Sequence, residues 1–236
     1  MKVRNAMSAM TLAGLAATAS AQPTITEIYN GLPGNDGTAD WFEITNLTGA
    51  TLTYAAGDLL YDDESADFSV ADPFPAFTLL DGESLVVLLD ENIDTDPANG
   101  VADAIDEFET VWGSGIATVT VDGSGLGQGG DAVTLFDAAG TILDSAAYVA
   151  EDDSAGPVNP LLQLQTWDIL NGGRSQLGID GAFQSNAFDN DSGTFGPPDT
   201  PVSVQLIGSP GVAIPEPATA AALVLLSGLA LRRRSA

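Results

Sequence analysis

Ile25-Thr26-Glu27-Ile28-Tyr29-Asn30 and Asp40-Trp41-Phe42-Glu43-Ile44-Thr45-Asn46 decide the fold. Both are short apolar-rich runs, and Gly34-Asn35-Asp36-Gly37 between them is turn chemistry. They predict strands over Thr24–Tyr29 and Asp40–Asn46. Glu27 alternates with Ile25 and Tyr29, and Glu43 with Trp41, so carboxylates share a face with large apolar groups. Buried polar groups are ordinarily paired. The two acids are therefore expected to be hydrogen-bonded structural groups near a sheet edge, and Glu43→Gln is expected to lower stability.

The same pattern continues along the chain. Short runs bounded by Gly, Asp, Asn and Pro predict strands at Asp58–Tyr61, Ala76–Leu79, Glu83–Leu89, Thr118–Val121, Ala132–Phe136 and Ile142–Tyr148. Asp81-Gly82 and Asp137-Ala138-Ala139-Gly140 supply turns, and the second closes the clearest hairpin. Leu85–Leu89 is apolar throughout, as a strand buried on both faces would be. One helix interrupts the series. Val101, Ala104, Ile105, Phe108, Val111 and Trp112 recur at helical spacing, with Asn99 and Gly113 as caps. Its apolar stripe is expected to cover one end of a β-sandwich. Further on, Leu161–Trp167 and Val202–Ile207 read as strands, and Asn171–Pro201 as long loops. Phe188 and Phe195 are expected in the core. Strands of this length and spacing indicate an all-β sandwich.

Several of these runs together resemble the lamin-tail domain family. The opening pair, then Leu79-Leu80-Asp81-Gly82-Glu83-Ser84-Leu85-Val86-Val87-Leu88, the helix ending in Trp112-Gly113, and Gly129-Gly130-Asp131-Ala132-Val133-Thr134-Leu135 follow in the family's order. The resemblance spans about Thr24 to Tyr148 and extends toward Gly211. It implies one immunoglobulin-like β-sandwich over residues 22–211, a fold used for binding and scaffolding as readily as for anything else.

Both ends of the chain read as addresses. Lys2 and Arg4 precede the apolar Ala6–Ala17, and Ala19-Ser20-Ala21 fits a cleavage site, so 1–21 is expected to be a signal peptide. At the other end, Pro215-Glu216-Pro217 precedes an uncharged run, Ala218–Leu231, and then Arg232-Arg233-Arg234. That order resembles the PEP-CTERM sorting signal, which implies an exosortase-type membrane peptidase as partner and transient residence in the inner membrane. Residues 212–236 are assigned to this signal. The run is 14 residues, whereas a spanning helix needs about 20. It suits a sorting step better than a permanent anchor.

Charge narrows the function. Of 33 acidic and 6 basic residues in the chain, residues 22–214 keep every acid except Glu216 and a single base, Arg174. Such a field repels nucleic acid and anionic lipid. Hydrophobic residues make up 44% of the chain, which argues against disorder. The chain has no cysteine or histidine, and residues 22–214 have no lysine. Disulfides, nucleophile–histidine pairs, imidazole zinc sites and Schiff-base lysines are thereby excluded. Gly125-Leu126-Gly127-Gln128-Gly129-Gly130 fits a dinucleotide fingerprint, but a strand follows where a helix is required, so it reads as a hairpin loop.

Calcium is the site chemistry such a chain can offer, since hard cations take carboxylate and carbonyl oxygens. Three clusters qualify: Asp62, Asp63, Glu64 and Asp67; Asp90, Asn92, Asp94 and Asp96; and Asp189 and Asp191. Arg174 is expected in a salt bridge. The expectation is a non-enzymatic, exported envelope or extracellular-matrix protein with a structural or adhesive role, stabilised by Ca²⁺. The alternative is a polysaccharide-binding module, for which two of Trp41, Trp112 and Trp167 would have to lie coplanar and exposed.

Overall fold

The computed structural model describes residues 21–31, 39–89, 104–123, 125–127, 130–149, 163–189 and 202–212. They are mostly β-strand with one short helix. The strands are β1 (Thr24–Tyr29), β2 (Asp40–Thr45), β3 (Leu52–Tyr54), β4 (Leu59–Asp62), β5 (Asp72–Pro73), β6 (Phe77–Leu79), β7 (Ser84–Leu89) and β8 (Thr118–Val121). After them come β9 (Gly130–Asp137), β10 (Ile142–Val149), β11 (Gln163–Gln165), β12 (Trp167–Asp168), β13 (Gly173–Arg174), β14 (Phe183–Asp189) and β15 (Val202–Gly208). The helix, α1, is Ala104–Trp112.

A six-stranded sheet in the order β13-β12-β1-β2-β7-β8 is the centre of the molecule. Its inner face packs on a four-stranded sheet, β10-β9-β4-β5, through Ile25, Ile28, Phe42, Ile44, Val87, Leu59, Tyr61, Val133 and Leu135. Its outer face is buried as well. Tyr29, Trp41, Val86 and Leu88 meet Phe108, Val111 and Trp112 of α1 and Leu206 of β15. Strand β15 lies between β11 and β14 in a separate three-stranded sheet. Burial on both faces explains why β7 is apolar from Leu85 to Leu89.

The helix departs from expectation. It covers the outer face of the main sheet, not an end of a sandwich. Strands β7 and β8 pair in parallel, Val86 opposite Thr118 and Leu89 opposite Val121. A parallel pair needs a crossover connection, and a crossover helix lies on the sheet face. Gly113, at φ +97°, closes α1 by donating its N–H to the Glu109 carbonyl at 2.9 Å.

The Asp137–Gly140 hairpin forms as the sequence predicts. The Gly140 N–H donates to the Asp137 carbonyl, and Asp137 Oδ1 accepts from Ala139 and Thr141. Gly125–Gly127, by contrast, leads from β8 to β9 and so links the two large sheets. The region read as loops after Asn171 holds β13 and the seven-residue β14, which pairs with β15 along its whole length. The run expected as one strand up to Trp167 is broken at Thr166, where the chain passes from β15 to β1. Short strands β3 and β5 were also not expected from sequence.

The main sheet has two distinct ends. At one, Asp40 pairs with Leu89, and Leu89 with Val121. At the other, Thr24 pairs with Thr45, and Thr45 with Ser84.

Candidate functional site

A β-bulge in β1 builds the central polar feature. The register shifts between Ile25 and Glu27, so Ile25 still opposes Ile44 while Glu27 opposes Glu43 and Tyr29 opposes Trp41. One extra residue keeps Ile25 and Ile28 in the inner core. It turns Glu27 to the outer face beside Tyr29, where Glu43 stands beside Trp41. Both glutamates are buried, and they lie in the middle of the six-stranded sheet, not at its edge.

Their oxygens are occupied by groups from distant parts of the chain. Glu27 Oε1 accepts from the Ser209 N–H at 2.8 Å, from Ser175 Oγ at 3.3 Å, and from the Thr166 hydroxyl. Glu27 Oε2 accepts from Ser209 Oγ at 3.0 Å. Glu43 Oε2 accepts from the Gly211 N–H at 2.6 Å, and Oε1 from Thr26 Oγ1 at 2.6 Å. Thr26 Oγ1 continues to Thr45 Oγ1 at 2.9 Å and on to Ser84 Oγ at 2.7 Å. The pair is a clamp that fastens the segment after β15 across two central strands.

Glycines let that segment come close. A Cβ on Gly208 would meet Thr166 Cγ2 at 2.8 Å, Glu27 Oε1 at 2.9 Å and Trp112 Cη2 at 3.0 Å. Gly211, at φ +76°, would meet Ile116 Cγ2 at 2.7 Å.

Electrostatics follow from burial. Desolvation raises the Glu27 carboxyl above its ordinary value, against the lowering effect of its hydroxyl and N–H donors. Glu43 is pushed up to about 8, first by burial and then by the charge of Glu27. Two carboxylates this close in a dry site resist carrying two charges, so the pair titrates as a unit. With both carboxyls covered and hydrogen-bonded, the arrangement holds structure together and presents no free base to a substrate.

The first acidic cluster, Asp62 to Asp67, lies at the Asp40 end. Asp62 Oδ2 accepts from Ser65 Oγ at 2.7 Å and the Asp67 N–H at 2.6 Å. Asp63 Oδ1 accepts from the Ser65 N–H, and Asp67 Oδ1 from the N–H and hydroxyl of Ser69. Those last bonds hold the exposed Asp67 carboxyl below its usual range. The Glu64 N–H donates to Asp131 Oδ1 at 3.1 Å, and a hydrogen bond between the two side chains raises the Glu64 carboxyl. Asp131 is the hub that sequence reading missed. Its oxygens also take the N–H groups of Ala132 and Gly127 at 2.7 and 2.6 Å. Nearby, Asp40 Oδ2 accepts from the Leu126 N–H at 2.6 Å, and the Tyr148 hydroxyl donates to the Gly127 carbonyl.

Among the described residues no three acidic side chains converge to hold a metal ion. Asp189 closes β14 opposite Val202. Asp90, Asn92, Asp94, Asp96 and Asp191, and the tail residues Pro215, Glu216, Pro217, Arg232, Arg233 and Arg234, lie outside the described residues. So do Asn99 and Phe195, and likewise the expected signal peptide, whose residues up to Ser20 are not described.

The three indoles do not form a sugar platform. Trp41 and Trp112 are buried and meet edge to face, with centroids 5.6 Å apart and planes at 88°. Trp167 is partly covered by Arg174, whose guanidinium carbon sits 3.6 Å from the ring centroid. Arg174 also donates to the Gln165 carbonyl at 2.8 Å, so its role includes bracing the strand break at Thr166.

No protein-family model matches this chain, and neither a curated protein nor a solved structure resembles it detectably.

Proposed function

We propose that this chain is an exported, non-enzymatic surface module of the cell envelope or extracellular matrix. Its body is an immunoglobulin-like, lamin-tail-like β-sandwich, and its role is structural or adhesive. The Pro215-Glu216-Pro217 tail is its address, handled by an exosortase-type peptidase during passage through the inner membrane. The observation that carries this reading is the clamp. Ser209 and Gly211 are fixed to Glu27 and Glu43 at the centre of the main sheet, and only Ala213 and Ile214 separate Val212 from the tail. A protein displayed by its C-terminus needs the root of that tether fastened to its core, and this one is fastened to two central strands.

The acidic loops support the same picture. Asp40, Asp62, Asp63, Glu64 and Asp131 stand at the end away from Thr24, where calcium would take further oxygens from an acidic polysaccharide or a neighbouring module to complete its shell. The test is delivery. The full chain, expressed in a host that carries the sorting peptidase, should reach the surface, while a chain lacking Arg232–Arg234 should be retained or diverted. Equal delivery of both forms would overturn the sorting reading.

A further inference from the structure

Eight large hydrophobic side chains are exposed among the described residues, and three of them fall within ten positions: Leu170, Leu177 and Ile179, at 43%, 59% and 52% exposure. Isolated exposed apolar residues are ordinary; a local group marks a contact surface. Two turns carry this group, and Asn171 ties them together. Its side-chain amide donates to Asp168 Oδ2 at 2.6 Å and also to Asp180 Oδ2 of the second turn. The second turn reverses tightly: the Gly178 N–H donates to the Ala182 carbonyl and the Ala182 N–H to the Ile179 carbonyl, both at 2.8 Å. Because the Ile169 N–H donates to the Thr26 carbonyl, the pair of turns sits at the Thr24 end of the main sheet.

Val212, the last of the described residues, lies at this place. A Cβ on Gly181 would meet Val212 Cγ1 at 2.6 Å, so the side chain of Val212 lies directly over the turn that bears Ile179. Five residues, 213 to 217, then separate Val212 from the apolar run beginning at Ala218. Fully extended, that connection reaches at most about 20 Å. The half-layer of headgroups on one side of a bilayer takes up roughly 5–8 Å of such a distance.

We propose that Leu170, Leu177 and Ile179 form a membrane-facing foot that settles into the interface of a zwitterionic bilayer while the tail is inserted. The proposal rests on the reading of residues 212–236 as a membrane-engaging sorting signal. The tether is too short to hold the foot far from the lipid, and aliphatic side chains at interfacial depth are favourably buried. Asp168 and Asp180 flank the group, and the chain carries a net charge of −27, so an anionic surface would repel what a neutral one accepts. The foot orients the molecule, since the acidic loops around Asp131 stand at the opposite end and face away from the membrane.

The chain has no cysteine, so single-cysteine labels are unambiguous. Full-length Leu177→Cys and Val149→Cys, each bearing a polarity-sensitive fluorophore, are mixed with phosphatidylcholine vesicles containing a lipid-borne quencher. Val149 is at least as exposed, at 68%, but pairs with Gly130 beside Asp131 at the Asp40 end. Both variants should co-sediment with vesicles, and the label at 177 should shift to the blue and be quenched several-fold more than that at 149. Co-sedimentation with a water-exposed label at 177 overturns the foot and leaves the tail reading intact. Failure to co-sediment overturns the tail reading, and the foot falls with it. A label at 177 that is already dry without vesicles overturns the proposal too. The occupant is then the chain's own tail if the signal is independent of concentration, and a second copy if it is not.

Discussion

Glu27 and Glu43 are cross-strand partners on β1 and β2, and through them the backbone N–H groups of Ser209 and Gly211 are bound to the centre of the sheet. Residues 168 and 182 positions apart thus meet across one pair of carboxyls. Most of the expected behaviour follows from this arrangement.

Stability should fall as pH rises from about 4.5 to about 8. Glu43 has a folded-state pKa raised to about 8 from an ordinary 4.5, so the folded protein holds a proton that the unfolded chain releases. The contribution is complete below the unfolded value and is lost as pH climbs through the folded one. With one excess proton bound, the slope is about 1.4 kcal/mol per pH unit. Asp67 and Asp137, whose carboxyls are lowered by hydrogen bonds, act in the opposite sense below about 3.8. Denaturant midpoints measured between pH 5 and 8 check this, and a flat or rising profile would count against a protonated pair.

Glu43→Gln should remove most of that slope. A glutamine can turn its carbonyl oxygen to the Gly211 N–H and its amide to Thr26 Oγ1, and it stays neutral at every pH. The sequence suggested a plain loss of stability. The geometry makes the outcome pH-dependent, with a small loss near pH 5 and a gain near pH 8. A mutant that is uniformly less stable across this range would refute the clamp chemistry.

Gly208→Ala should cost about 1–3 kcal/mol, the usual range for overpacking a close-packed site. The added methyl has no room between Thr166, Glu27 and Trp112. Gly173→Ala, with nothing within 4 Å and no left-handed φ, should stay within about 0.5 kcal/mol of the parent. Equal effects at the two positions in thermal or chemical unfolding would be inconsistent with the close approach of β15.

Phe108→Ala should destabilise by about 3–5 kcal/mol, the range for deleting a buried aromatic. Phe108 is fully buried and meets Trp41 edge to face at 5.9 Å, so its loss opens the outer core. A helix covering only one end of the fold would tolerate the change far better. Near-ultraviolet circular dichroism, which reports the tryptophan environment, should change with the unfolding midpoint.

Millimolar calcium should raise the melting temperature above that in chelator, because a ligand bound to the native state alone stabilises it. At ten times its dissociation constant the gain is about 1.4 kcal/mol. Identical melting curves in the two conditions would remove calcium from the proposed function.

Particular residues show why some of this was legible in the sequence. Strand β7 was readable because a continuous apolar run in Leu85–Leu89 has few stable homes other than a sheet covered on both faces. The Asp137–Gly140 hairpin was readable because its turn chemistry is local. Strand β14 was not, since Phe183–Asp189 is polar and gains its order from β15 and α1, including a hydrogen bond from the Ser185 hydroxyl to the Val111 carbonyl. Asp131 as hub was likewise invisible, because its donors come from residues 64, 127 and 132.

Composition and periodicity, which are local properties, therefore established the all-β class, the short helix, the lack of histidine and cysteine side chains, and two glutamates engaged in hydrogen bonds. The location of those glutamates was a tertiary matter. Whether a carboxyl stands at an edge or at the centre depends on which strands flank it, and β12, β13 and β7 arrive from far along the chain. The clamp needed a bulge to turn Glu27 outward, a glycine at 208 to admit β15, and burial to raise the carboxyls. None of these can be read from neighbours in sequence, because desolvation depends on the atoms that fold over a group.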